Sequence, residues 1–257
     1  MPLEILVKSL IAGLLASLAC GLGALPLLLK HFDLQKHTGL GYGFAGGLML
    51  AASVYNLILP GLQMAQPEMS LSRVAPVLAG ILLGSVFLWG SNRYLSEERL
   101  SQASWKRWGG RTEILIFLAM SIHSIPEGVA VGVGYASEEL YSTHLGSYIA
   151  LAIGIHNIPE GLAVALPMRA AGASIMRCFW AAVLTSLPQP IAALPAGMAS
   201  WFFQPLMPVL MGFAAGAMMF LILLEIIPDA LHDEKPAKIA WAFTYGFCLM
   251  LLVQVLL

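Results

Sequence analysis

Apolar residues gather in eight long runs, at about 3–29, 39–62, 74–95, 113–136, 146–168, 178–199, 205–230 and 238–257. Each approaches or exceeds the roughly 20 residues that cross a bilayer as a helix. Helices are expected throughout, because lipid leaves backbone amides no partner outside a helix or a closed barrel. The polar breaks are short. The longest, "SEERLSQASWKRWGGRTE", joins the third and fourth runs, so the pattern predicts one all-α polytopic membrane domain over 1–257.

Two polar interruptions do not fit ordinary lipid-facing helices. "SIHSIPEGVAV" begins at Ser121, and "GIHNIPEGLAV" returns at Gly154 in the next run. In each, histidine and glutamate stand four apart and share one helix face. A carboxylate near the bilayer centre costs about 2.5–3.5 kcal/mol on insertion scales, so Glu127 and Glu160 need a bound cation or a proton. Pro126 and Pro159 each remove an amide, freeing the carbonyls of Ile122 and Ile155. Gly128 and Gly161 admit a close backbone, while Ser124 and Asn157 add neutral donors beside each histidine. Two imidazoles and two carboxylates from facing helices make a nitrogen–oxygen set suited to Zn²⁺, Fe²⁺, Mn²⁺ or Co²⁺. An interhelical clamp without metal and a proton relay are the competing readings of the same groups.

A weaker repeat relates the second and seventh spans. "GFAGGLM" at Gly43 and "GFAAGAM" at Gly212 agree at five of seven positions, and the register sets Asn56 opposite Glu225. These spans run in opposite directions, as do the fourth and fifth, which suggests inverted repeats with the site between them. Small-xxx-small helix packing explains Gly43/Gly47, Gly80/Gly84 and Gly212/Gly216 equally well.

Composition sharpens the class: 59% of residues are hydrophobic and 11% charged. Eleven of the thirteen Lys and Arg fall on one side of the eight-span topology, all but Lys8 and Arg73. This positive-inside bias puts both termini outside. The net charge of −1 offers no basic face for nucleic acid. Cys20, Cys178 and Cys248 are dispersed in apolar runs and read as packing residues. Glu4 precedes Lys8 and no clear cleavage site follows, so the first run reads as a retained helix.

"HSIPEG" and "HNIPEG" on neighbouring spans resemble the signatures of the Zrt/Irt-like (ZIP) metal transporters, the GufA-type bacterial subgroup in particular. That resemblance implies a three-two-three helix arrangement, a homodimer in the cell membrane, and import of divalent metal by alternating access. Zinc is the commonest cargo, with iron, manganese, cobalt or cadmium as others, and no organic cofactor. It makes His123, Glu127, His156 and Glu160 the central ligands, with Ser124 and Asn157 placed at an adjacent site. One departure stands out: Gln189 in "TSLPQPIAA" occupies the position where many members carry a metal-bridging glutamate. A neutral amide cannot hold two dications together, so a single site is expected, with Pro188 and Pro190 breaking the sixth helix.

Other polar residues suggest a pathway. Glu225, Asp229 and His232 follow at helical spacing toward the cytoplasmic end, and Ser53 and Asn56 lie on the second span. His31, Asp33 and His37 form a polar inner loop. Trp89, Trp180, Trp201 and Trp241 fall near span ends, where interfacial anchors belong. An intramembrane metal-dependent hydrolase and a metal-selective channel are the rival functions; no HExxH motif supports the first.

Overall fold

The computed structural model describes residues 2–28, 34–64, 71–94, 111–141, 144–170 and 172–256. Every regular element among them is helical. The α-helices are α1 (Pro2–Leu22), α2 (Leu34–Ala52), α3 (Leu59–Met64), α4 (Leu71–Tyr94), α5 (Arg111–Tyr141), α6 (Leu145–Ala170), α7 (Ile175–Thr185), α8 (Pro188–Phe202), α9 (Met207–Leu221), α10 (Ile227–Asp233) and α11 (Pro236–Leu256). They assemble into eight rods. Rod two is α2 and α3 joined by a π-helical turn, Ser53–Ile58; rod six is α7 and α8. Rod seven is α9 and α10 joined by a second π turn, Ile222–Ile226. Seven rods have the length and hydropathy to cross a membrane among the described residues, and α5 makes the eighth candidate.

Several boundaries move from their expected places. The helix of rod two begins at Leu34, although its membrane-length apolar segment, Gly39–Gln63, starts where expected, and α5 runs on to Tyr141 rather than 136. Hydropathy marks the part of a helix that sits in lipid, whereas the hydrogen-bonded ladder continues into polar turns. Rod one ends at Leu22, followed by a short 3-10 turn at Leu25–Leu28. The inner loop residues His31 and Asp33 and the polar connection over 95–110 lie outside the described residues.

Proline chemistry explains where the rods are irregular. Pro60 and Pro228 each lack the amide that would bond the carbonyl four residues earlier, and each follows a π turn. Rod six breaks at Ser186–Leu187, where Pro188 opens α8 at its first turn. By contrast, Pro126 and Pro159 lie inside unbroken helices. Rods five and six join through Gly172, whose φ of 89° suits glycine, and Ser174 then caps α7 by accepting from the Arg177 amide.

Packing divides the rods into two groups of four. Rods one, four, five and six pack chiefly on one another, as do rods two, three, seven and eight. Rods four and seven, and rods two and five, make the main contacts between groups. Glycines set the closeness. A Cβ on Gly80 or Gly84 would strike the backbone of α9, and one on Gly212 or Gly216 that of α4. Gly47 and Gly246 repeat the arrangement between α2 and α11. The small-xxx-small pairs therefore are packing surfaces, as one reading of them held.

These contacts come in matched pairs. Exchanging rod one with six, two with seven, three with eight and four with five turns each major contact into another observed one. The correspondence holds at single residues. Gly128 meets the Gln189 carbonyl, and Gly161 meets the Cys20 carbonyl at the matching place. The Ser124 hydroxyl donates to the Thr185 carbonyl at 3.2 Å, and the Asn157 amide donates to the Ala16 carbonyl at 3.1 Å. Both π turns occupy equivalent stretches, with Asn56 and Glu225 at equivalent positions within them. The inverted relation read from two short motifs thus extends over the helices.

Candidate metal centre

The pentads come together because α5 and α6 cross with their histidine–glutamate faces turned inward. One ligand atom each from Glu127, His156 and Glu160 lies within 4.8 Å of the others. His156 Nε2 and Glu127 Oε1 are 3.0 Å apart, and both side chains are 1% exposed. Glu127 Oε2, Glu160 Oε2 and His156 Nδ1 are buried with no hydrogen-bond partner. Buried carboxylate oxygens left in this way are costly unless a cation completes them. Two acids and an imidazole at this spacing present the donors a divalent transition metal takes.

His123 stands beside this trio and faces another residue. Its Nε2 lies 3.6 Å from Glu225 Oε1, and Glu225 in turn accepts from the Asn92 amide at 2.6 Å. His123, His156, Glu160 and Glu225 line a cavity of about 70 Å³ that reaches Asp229, with Met49, Met120 and Tyr42 completing its wall. Exposed His232 lies one turn beyond Asp229 on α10, outside the cavity lining.

The neutral residues form a separate cluster on the other side of the pentads. The Asn157 amide donates to Gln189 Oε1 at 3.1 Å as well as to the Ala16 carbonyl. Ser17 donates to the Ser186 carbonyl at 2.9 Å, beside Ser124 on Thr185. These bonds stitch rods one, four, five and six together. Gln189 is fully buried, and its amide spends its oxygen on Asn157. Ser53 is buried and donates to the Met49 carbonyl, one turn earlier. Asn56 is buried in the π turn.

Asn92 was not singled out in the sequence. It sits beside Arg93 at the end of a span, where a polar residue reads as headgroup contact. Lys8 also has a role beyond its place in the charge count. It meets Glu4 at 3.1 Å and approaches Glu138 and Glu139 at 4.0 and 3.8 Å, tying α1 to the end of α5. Among the other expectations, Trp89, Trp180 and Trp241 are exposed, while Trp201 packs partly against the core. Cys20 and Cys178 are buried and Cys248 exposed, all as free thiols.

Acids and imidazoles gathered inside a set of membrane-length helices define a multi-pass membrane protein with a candidate site for a divalent cation. Residues 109–254 match the family described as "ZIP Zinc transporter". Zinc transporter GufA of Myxococcus xanthus is 35% identical over 249 residues, covering 95% of this chain and 97% of that protein. Zinc transporter ZIPB of Bordetella bronchiseptica is 34% identical over 92% of this chain and 77% of its own length. Human zinc transporter ZIP11 is 41% identical over 62% of this chain and 47% of its own. The chain belongs to the ZIP zinc transporter family.

Proposed function

We propose that the protein carries divalent transition-metal ions, zinc foremost, across a membrane through the His/Glu site between α5 and α6. One observation carries this reading: three ligand atoms from two facing helices lie within 4.8 Å, with carboxylate oxygens buried and unpartnered among them. Glu127 and Glu160 neutralise the ion, and His156 favours transition metals over Ca²⁺ and Mg²⁺. His123 and Glu225 take the ion from this trio, and Asp229 and His232 continue the path outward from the cavity. Ser124, Asn157 and Gln189 hold the neighbouring helices and bind no second dication, since their cluster carries no negative charge. Ser53 and Asn56 belong to the opposite side of the path.

The same reading takes 1–257 as one transport unit of three, two and three helices with both termini outside. The charge asymmetry supports that orientation, and likeness to the family supports movement inward, to the cytoplasm. Likeness to bacterial relatives supports a homodimer in the cytoplasmic membrane. The zinc transporter names of the relatives favour a carrier over an intramembrane hydrolase.

Proteoliposomes loaded with a zinc-sensitive dye test the reading. The parent should give saturable zinc uptake, and Glu127→Ala and His156→Ala should each reduce it at least about tenfold, as losing a metal ligand or its partner does. Uptake that rises linearly with zinc indicates a channel. Uptake unaffected by both substitutions removes the site from the pathway.

A further inference from the structure

The helices obey the inverted correspondence, but the side chains at the centre do not, and the difference falls on a few residues. Rod three corresponds to rod eight with Gly84 matched to Gly246: each would strike the carbonyl of a matched residue, Phe213 or Phe44. Carried along the helix, this register matches Asn92 with Gln254. Glu225 matches Asn56, and His123 matches His156 through the pentads. The observed chain Asn92–Glu225–His123 therefore has a second set of residues in the same relation: Gln254, Asn56 and His156.

The first set is assembled. Asn92 donates to Glu225 at 2.6 Å, and Glu225 lies 3.6 Å from His123. In the second set no hydrogen bond joins Asn56 to the other two residues, and buried polar atoms are left unpaired. Neither amide atom of Asn56, 1% exposed, has a hydrogen-bond partner, nor has Gln254 Oε1, whereas the Nδ1 atoms of His123 and His156 are alike unpartnered and leave the contrast to the amides. Each such group is costly relative to a satisfied one. The π turn holding Asn56 already touches α6, the helix of His156. Gln254 lines a second cavity, of about 520 Å³, with Tyr55, Pro60 and Gln63 of rod two and Tyr141 at the far end of α5. That cavity lies at the opposite end of α5 from Met120 and the metal cavity.

We propose that Gln254, Asn56 and His156 are the counterpart of Asn92, Glu225 and His123, and close into the same arrangement when the central site faces the other side. The proposal rests on the transport reading above and adds a role to it: Asn56 and Gln254 are positioning residues for the opposite-facing state. The unsatisfied amides are then the cost of the present state, repaid in the other. The two sets differ in one chemical respect. Glu225 brings a charge to its histidine, whereas Asn56 brings a neutral amide, so the second arrangement holds the site without competing as strongly for the ion.

The test uses Asn56→Leu, Gln254→Leu and the double variant, each compared with the parent in dye-loaded proteoliposomes. Each leucine variant should lower the maximal zinc flux about fivefold or more, the worth of one hydrogen bond in the second state. The double variant should be no slower than the slower single, because the two amides act as one unit. Thermal unfolding of the leucine variants should be no lower than the parent's, since each removes an unsatisfied buried amide, and equilibrium zinc affinity should match the parent. Parent-like flux in both leucine variants overturns the proposal. So do losses that multiply in the double variant, or losses that follow a lower unfolding temperature. A parent that moves no zinc in the same vesicles defeats the transport reading itself, and the proposal with it.

Discussion

The decisive side chains are few, and their chemistry is set by what lipid denies them. Glu127 is 1% exposed, and its partner His156 lies 3.0 Å away, yet one oxygen of the acid and one nitrogen of the ring remain unpaired. A clamp between two helices would satisfy both groups. A site built to receive an ion leaves donors over, as seen here. Because neutral imidazole is the ligand form, zinc binding and protonation compete. Zinc affinity should therefore be highest near pH 8 and fall as the medium is acidified. Isothermal titration at pH 8, 7, 6 and 5 measures this directly. Equal affinity across that interval would count against imidazole ligation.

At the scale of the helix, the arrangement depends on backbones that touch. A methyl group on Gly161 would collide with the Cys20 carbonyl, whereas one on Gly154, two turns earlier on α6, meets nothing within 4 Å. Gly161→Ala should destabilise the protein by about 1–3 kcal/mol, the usual penalty for overpacking. Gly154→Ala should change stability by less than about 0.5 kcal/mol. Thermal unfolding in detergent separates the two, and equal midpoints would deny the close α1–α6 contact. Elements of this kind were unevenly legible beforehand. The pentads announced themselves because histidine and glutamate are expensive in an apolar run, and the broken sixth helix followed from Pro188 and Pro190. The two π turns did not, since Pro60 and Pro228 resemble ordinary prolines near a helix end. Asn92 and Gln254 were hidden for a similar reason: polar residues close to a span end usually face headgroups. The match of Cys20 with Gln189 shares no chemistry at all, and only the glycine contacts in three dimensions expose it.

Across the whole molecule, the inverted relation and the two groups of four rods make one structural statement. Rods one, four, five and six hold both pentads and the serine and amide bonds around them. Rods two, three, seven and eight supply Asn92 and Glu225, which reach His123, and Asn56 and Gln254, their counterparts in the proposed opposite-facing state. An inverted pair of repeats can present one site to opposite faces of the membrane with the same elements exchanging roles. The topology carries its own test. With the cations on the inner side, a protease-cleavable tag at either terminus should be cut in intact cells; protection of both tags would reverse the assigned orientation.

X-ray absorption at the zinc edge, on purified protein loaded with one equivalent of metal, reads the ligands of the bound ion themselves. The spectrum should show nitrogen and oxygen neighbours at about 2.0–2.2 Å with the outer-shell scattering of imidazole, no sulfur shell, and loss of that signature in Glu127→Ala with His156→Ala. A sulfur shell near 2.3 Å, or an unchanged spectrum in the double variant, would contradict ligation by the pentads.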